Sequence, residues 1–318
     1  MATPIRIDET LLSRLCPARP ETGHKGTFGR LLIYAGSTGM GGAAVMAAGS
    51  ALRSGAGLVY VLTPKDVLTP LLIRCPEALG IPLPEEKESS SPLVPMSAGL
   101  GRLMPPAPSE KENWFSSILS DKQAVLMGPG LQTERKDVLT NLPFAIENAP
   151  HLVLDAGALT VLSKYPEMMD LLKMRREKGL SPAVLTPHLG EFKRLLPAWE
   201  EGDFSAAGAF AVEYGVMLVL KSNETNLFTS SGKWYSNPVR NSGLAKGGSG
   251  DVLSGLLSGL LAQGMNEEDA AVSAVGIHSL AAKLCREKLG ARAMLPTDLW
   301  TYFGACFQRL QWEEGITS

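Results

Sequence analysis

The stretch GLAKGGSGDVLSG, Gly243 to Gly255, sets four glycines ahead of an aspartate and a run of helical character. Glycine packs nothing and loses the most conformational freedom on folding, so this density points to a backbone with a task. Glycines leading into a helix let successive N–H groups converge on one spot. The helix N-terminus adds partial positive charge there, which suits a phosphate or a developing oxyanion. Asp251 falls in the first helical turn. Its carboxylate suits an N-cap. It equally suits a base that takes or orients a hydroxyl proton beside a phosphoryl group, and the loop by itself leaves both open. The loop is not a Walker A motif, because G-x-x-x-x-G-K-[ST] occurs nowhere in the chain.

Other residues with chemistry stand at the ends of apolar runs. LTPHLGEF places His188 and Glu191 just past one run, where a substrate contact competes with a purely structural histidine. LKSNET puts Lys221 and Thr225 at the end of another, suited to phosphates or a nucleotide, although a lysine there is as readily solvated. LMGPGLQ is a further glycine turn around Gly130. AGSTGMGGAA fits a loose G-x-G-x-x-A at Gly39, Gly41 and Ala44, but no acid follows clearly at the end of the next strand; Asp66 lies beyond a proline.

These residues need a frame. GRLLIYAGS reads as a buried strand, GGAAVMAAGSALRSGAG as a helix of small residues, and LVYVLTP as a second strand, which together make a βαβ unit and predict a parallel sheet. QAVLMGPG, HLVLDAGAL, PAVLTPHLG and VMLVLKS supply further strands ending in Gly, Pro or Asp, where an open parallel sheet carries its ligand loops. NLFTSSGKWYSN reads as a hairpin about Ser231-Gly232. From Asp251 onward the chain reads as helical, with Asn266 and Pro296 at helix starts. Residues 82–113, rich in Pro, Ser and charge, predict a flexible surface excursion within one domain spanning 1–318.

Composition limits the function classes. With 318 residues, 45% hydrophobic and 19% charged, a large α/β core is available and global disorder is not. A net charge of −2 with mixed signs argues against a nucleic-acid surface. Four scattered cysteines without C-x-x-C read as free thiols in a reducing compartment rather than as a metal site. The N-terminus lacks an apolar signal region, and no apolar run approaches 18 residues, so no membrane partner and a cytoplasmic location are expected.

The runs GHKGTFGRLLIYAGS, GGAAVMAAGSALRSGAGLVYVLTP, MGPGL, VLDAGAL, LTPHLGEFKRLL, LVLKSNETNLF and NSGLAKGGSGDVLSGLLSGLLAQG together resemble the NAD(P)H-hydrate dehydratases, a branch of the ribokinase-like superfamily. They span residues 23–264 in the family's order. The resemblance implies a three-layer α/β/α sandwich with a mainly parallel central sheet. It implies repair of NADH and NADPH that have gained water across the reduced nicotinamide ring. ADP or ATP, with Mg²⁺, would phosphorylate the hydroxyl of the S-hydrate, and phosphate would then leave to restore NAD(P)H.

By the same resemblance, Asp251 meets the hydrate hydroxyl as base, and Gly248, Ser249 and Gly250 form the anion hole. Lys221, Ser222, Asn223, Glu224 and Thr225, with Gly250, match the nucleotide-binding stretch. Ala43, Gly130, His188 and Asp251 match positions that contact hydrated NAD(P)H. Glu191 is implied as a water-mediated organiser of Mg²⁺, and Asp155 as a residue that shapes the ligand end of the sheet. Ser222 replaces a common glycine, Lys246 a common threonine and Gln132 a common glycine, while Asp155-Ala156-Gly157 lacks a second acid. Ser222 would narrow the approach to the nucleotide phosphates; Lys246 would contact phosphate or stay solvated. Motifs of a fused epimerase are not seen, so a separate NAD(P)H-hydrate epimerase is the expected functional partner, with a homotetramer as the expected assembly. The rival readings are a small-molecule kinase of the same fold acting on a thiazole or pyridine alcohol, a non-catalytic nucleotide-binding module, and a nicotinamide dehydrogenase.

Overall fold

The computed structural model describes residues 3–16, 19–84, 94–95, 103–104 and 114–313. Among the described residues there are twelve strands: β1 Ile5–Arg6, β2 Arg30–Tyr34, β3 Leu58–Thr63, β4 Leu79–Pro82, β5 Val94–Pro95, β6 Leu103–Met104, β7 Ala124–Met127, β8 His151–Leu154, β9 Val184–Leu185, β10 Met217–Leu220, β11 Thr225–Phe228 and β12 Trp234–Asn237. Ten of them form one sheet in the order β1-β12-β11-β10-β9-β8-β7-β2-β3-β4. Every pairing is parallel except the two made by β11, which runs against β10 and β12. β5 and β6 make a small antiparallel ribbon; most of the excursion expected over 82–113 lies outside the described residues.

Alternation along the central strands sends side chains to two apolar layers. Leu31, Ile33, Val59, Val61, Leu126 and Val153 face one; Leu32, Tyr34, Leu62, Met127, Leu152 and Leu154 face the other. The helices, in chain order, are α1 Glu9–Leu12, α2 Gly41–Arg53, α3 Lys65–Arg74, α4 Trp114–Leu119, α5 Lys136–Asn148, α6 Ala156–Lys164, α7 Glu167–Glu177, α8 Leu189–Leu195, α9 Phe204–Tyr214, α10 Ser249–Ala262, α11 Glu267–Ala293 (broken at Gly290) and α12 Trp300–Arg309. α1 to α3 and α10 to α12 cover the first layer, and α4 to α9 the second. The fold is therefore a three-layer α/β/α sandwich with a mainly parallel central sheet, as expected.

Two features of this frame position the site. The chain leaves β2 in one direction, through β3 and β4, and then returns to place β7 on the other side of β2 before continuing through β8. The β2–β7 boundary is thus a topological switch point, where an open sheet leaves a crevice at its carboxyl edge. The second feature is the closeness of α2 and α10. Ala44, Ala47, Ala48 and Ala51 are buried on α2. A Cβ on Gly255 would stand 2.2 Å from the Ala47 carbonyl oxygen, so the backbones meet only because that residue is glycine. This contact fixes α10, whose first turn carries Gly248 to Asp251.

Candidate active site

Gly248 is the N-cap residue of α10, with φ 98° and ψ −16°. A side chain there would be strained, and its Cβ would stand 2.2 Å from the Met46 sulfur on α2. No side chain caps this helix end, so Asp251 is not occupied as a cap. Of the two roles left open by the sequence, its carboxylate is free for the second. Burial raises the Asp251 carboxyl to about 6; Asp155 and Glu191 add to the rise, and Lys221 opposes it.

Lys221 and Asp155 form the electrostatic centre. Asp155, 1% exposed, follows β8 and caps α6 by accepting from the Ala156 N–H at 3.0 Å. It also accepts from Lys221 Nζ at 2.8 Å. Burial works against the Lys221 ammonium, yet Asp155, Glu191 and Asp251 hold its pKa above the ordinary lysine value. Its Nζ lies 3.2 Å from where a Cβ on Gly250 would stand, which puts the charge beside the glycine loop. Ala156 adopts a left-handed φ of 43°, and a non-glycine residue held there marks strain at the turn that aims Asp155.

His188 and Glu191 stand beside this centre because the β9 and β10 ends are bridged: Lys221 N–H donates to the Pro187 carbonyl at 2.8 Å. They form a reciprocal cap on α8. His188 Nδ1 accepts from the Gly190 and Glu191 N–H groups at 3.0 and 3.3 Å, and Glu191 Oε2 accepts from the His188 N–H at 2.8 Å. Glu191 is buried, whereas the His188 ring is exposed with Nε2 3.5 Å from Glu191 Oε1.

A cleft of about 1000 Å³ joins these groups. Asp155, His188, Glu191, Ser249, Gly250 and Asp251 line it together with Lys221 through Asn226. Apolar Leu244, Leu253 and Val275 form part of its wall. Ser222 lines the cleft with its hydroxyl donating to the Glu224 carbonyl at 2.6 Å, and Glu224 pairs with Arg240. Lys246 differs from both of its expected roles. Its Nζ donates to the Arg292 carbonyl at 2.8 Å and to that of Met294, fastening the loop to the end of α11.

Ala43 and Gly130 are not in this cleft. They meet at the switch point, where a Cβ on Gly130 would stand 2.9 Å from that of Ala43, and Ser37 Oγ donates to the Gly130 carbonyl at 2.7 Å. Ala43 and Met46 are three residues apart on α2, and residues so spaced share a helix face. The switch-point wall and the Gly248 loop are therefore neighbours, with Asp251 at the cleft end of that loop. His278, 7% exposed in the cleft wall, escaped the sequence reading. It sits in the middle of a buried helix, where nothing in the apolar pattern around it marks a site.

Comparison with known proteins agrees with this geometry. The NAD(P)H-hydrate dehydratase family matches residues 31–303. The chain is 37% identical over 265 residues to the bifunctional NAD(P)H-hydrate repair enzyme Nnr of Gloeobacter violaceus, covering 83% of this chain and 46% of that protein; it spans about half the length of such bifunctional relatives. It is 34% identical over 283 residues to the ADP-dependent (S)-NAD(P)H-hydrate dehydratase of Neisseria meningitidis, covering 87% of this chain and 84% of that one. Among solved structures, it is similar to the ADP/ATP-dependent NAD(P)H-hydrate dehydratase of Bacillus subtilis co-crystallised with ATP and Mg²⁺. The TM-score is 0.76 at 27% identity, covering 98% and 99% of the two chains. A match running from β2 into α12, over the strands and loops that build the cleft, means that the chain belongs to the NAD(P)H-hydrate dehydratase family.

Proposed function

We propose that this chain dehydrates the S-epimer of hydrated NADH and NADPH at the expense of ADP or ATP. The observation that carries the reading is an uncapped Asp251 carboxyl, raised to about 6, directly behind an anion-binding loop. A base with that pKa is ionised at neutral pH and still takes a proton readily. The hydrate rests at the Ala43–Gly130 wall with its hydroxyl toward Asp251, and His188 contacts it from the exposed side. Asp251 takes the hydroxyl proton as that oxygen bonds to the terminal phosphorus of the nucleotide, whose bridging oxygen leaves with the P–O pair. Gly248, Ser249 and Gly250 hold the transferring phosphoryl group through loop N–H groups and the helix end. Phosphate then departs with the C–O pair, a proton leaves the adjacent ring carbon, and the double bond returns. Hydroxide would be a far poorer leaving group.

Residues Lys221 to Thr225 and Gly250 run along the nucleotide, with Lys221 held beside the phosphates by Asp155. The oxygen-rich surroundings of Glu191 and Asp251 fit Mg²⁺ bound through phosphates and water. Bound there, Mg²⁺ would neutralise phosphate charge. Among the described residues no three His, Cys, Asp or Glu side chains are grouped as a metal cage. Glu191 has one oxygen committed to His188, which supports a role through water rather than direct ligation.

We read 1–318 as one dehydratase domain working in the cytoplasm as a homotetramer, fed by an NAD(P)H-hydrate epimerase activity; light scattering on the purified protein checks the assembly. Among the described residues no helix is long and apolar enough to cross a membrane. The central test incubates purified protein with hydrated NADH, Mg²⁺ and either ADP or ATP, and follows the reduced-nicotinamide absorbance and inorganic phosphate. Recovery in equal amounts, lost in Asp251→Asn, is expected. A stable phosphorylated product without free phosphate would make the protein a small-molecule kinase, and no turnover by folded protein would sink both readings.

A further inference from the structure

Among the described residues lining the cleft, two polar side-chain atoms are buried with no hydrogen-bond partner: Ser249 Oγ and His278 Nε2. Such orphans are uncommon, because an unmet buried donor or acceptor is destabilising. Two nearby hydroxyls on the same elements are satisfied, although Ser273 Oγ elsewhere on α11 is not. Ser279, next to His278, accepts from Asn237 Nδ2 at 2.5 Å, and Ser254 on α10 donates to the Asp251 carbonyl. The His278 ring borders the first turn of α10: it lies within hydrogen-bond reach of the Ser249 backbone, which favours its protonated form, and Lys221 is near enough to oppose that. Burial, with Lys221, lowers the ring to about 4 against the pull of the Ser249 backbone, so it is neutral at physiological pH. A neutral imidazole carries one N–H and one lone pair, and it adds no charge behind the loop.

We infer that His278 is a positioning residue for phosphoryl transfer: when an anionic group enters the loop, the Ser249 hydroxyl turns to donate to it, and His278 Nε2–H donates to the hydroxyl oxygen from behind. Both orphans are then satisfied, and only when the anion is present. The pair rewards the transferring group more than the resting nucleotide, which is the differential binding that raises kcat. The inference rests on the reading of Gly248 to Gly250 as the phosphoryl-binding loop. His278 moves no proton to or from substrate.

The test uses the full chain with Ser249→Ala, His278→Leu, the double variant and His278→Gln, which restores an N–H donor. Two readouts are taken: steady-state kinetics with hydrated NADH, and the thermal midpoint with Mg·ADP, the spent nucleotide when ATP is the donor (Mg·AMP takes its place throughout when ADP is), without and with aluminium fluoride as mimic of the transferring phosphoryl group. Each single variant should lose about tenfold in kcat, the scale of one hydrogen bond, with the hydrate KM unchanged. The double variant should be no worse than the poorer single, and His278→Gln should recover most of the loss. Ser249→Ala and His278→Leu should keep the thermal gain from Mg·ADP and lose the extra gain from aluminium fluoride. Losses that multiply in the double variant, or an aluminium fluoride gain retained in His278→Leu, would overturn the pairing. So would a wild type with no such gain, or a His278→Leu protein that also loses the Mg·ADP gain. If His278→Leu does not fold, His278→Met replaces it. The thermal readout needs no hydrate, so a wild type that shows the fluoride gain yet restores no NADH defeats the hydrate reading while the pairing stands.

Discussion

Burial and the nearby carboxylates of Asp155 and Glu191 raise the Asp251 carboxyl to about 6 despite Lys221. In the unfolded chain the same group ionises near 3.8. Its charged form is therefore disfavoured by folding: the penalty is absent below pH 3.8, grows between 3.8 and 6, and is fully present above 6. Asp251→Asn removes it, and we expect the variant to be more stable at pH 8 by about 2 kcal/mol, the gain shrinking to nothing by pH 4 in thermal melts. Activity runs the other way. In the proposed role of base Asp251 works only when ionised, so kcat/KM should fall below an apparent pKa near 6. Asp155→Asn withdraws one of the charges that hold the value up and should move that acid limb downward; a limb that stays in place or rises would show that Asp155 does not act on Asp251. The importance of Asp251 was legible in its place behind the glycines. The Asp155–Lys221 pair was not, because residues 66 positions apart meet only once β8 and β10 lie in one sheet.

At the scale of elements, α10 is set by its contact with α2, and glycines on different helices predict opposite responses. Gly255→Ala would push a Cβ to 2.2 Å from a backbone carbonyl that cannot swing aside. We expect a loss of about 2–3 kcal/mol in urea titrations, with a fall in activity as the Gly248 loop shifts. Gly304, inside α12, has open space around its missing Cβ and ordinary helical backbone, so Gly304→Ala should stabilise by about 0.5–1 kcal/mol. The strands most legible from sequence were the buried ones. The apolar runs at 29–37, 58–64 and 123–130 became β2, β3 and β7, and the hairpin about Ser231-Gly232 became β11 and β12. The edge strands β1 and β4 carry exposed side chains and no alternation, so nothing in composition announces them. PAVLTPHLG shortened to the two-residue β9 because the chain turns at once into the His188 cap. Asn266 caps α11 as the sequence indicated, while Pro296 opens a single 3₁₀ turn before α12.

Across the whole molecule, the two ends of the described chain are tied together. β1 pairs with β12, Arg309 pairs with Glu9, and Trp312 donates its indole N–H to the Leu12 carbonyl at 3.1 Å while stacking on Phe307. These ties differ in strength. Glu9 and Arg309 are about half exposed, so Glu9→Gln should change stability by less than about 0.5 kcal/mol. Trp312 is 4% exposed, and Trp312→Ala should cost about 3 kcal/mol in the same titration. The β1–β12 pairing also bears on how the protein is made. About 230 residues separate Ile5 from its partner Tyr235, which a ribosome takes roughly 10–50 s to deliver. β1 thus leaves the ribosome well ahead of the strand that will hold it. A two-residue strand bearing an arginine is a poor template for a neighbouring nascent chain, and its brevity suits a segment that must stay unpaired until its own sheet arrives.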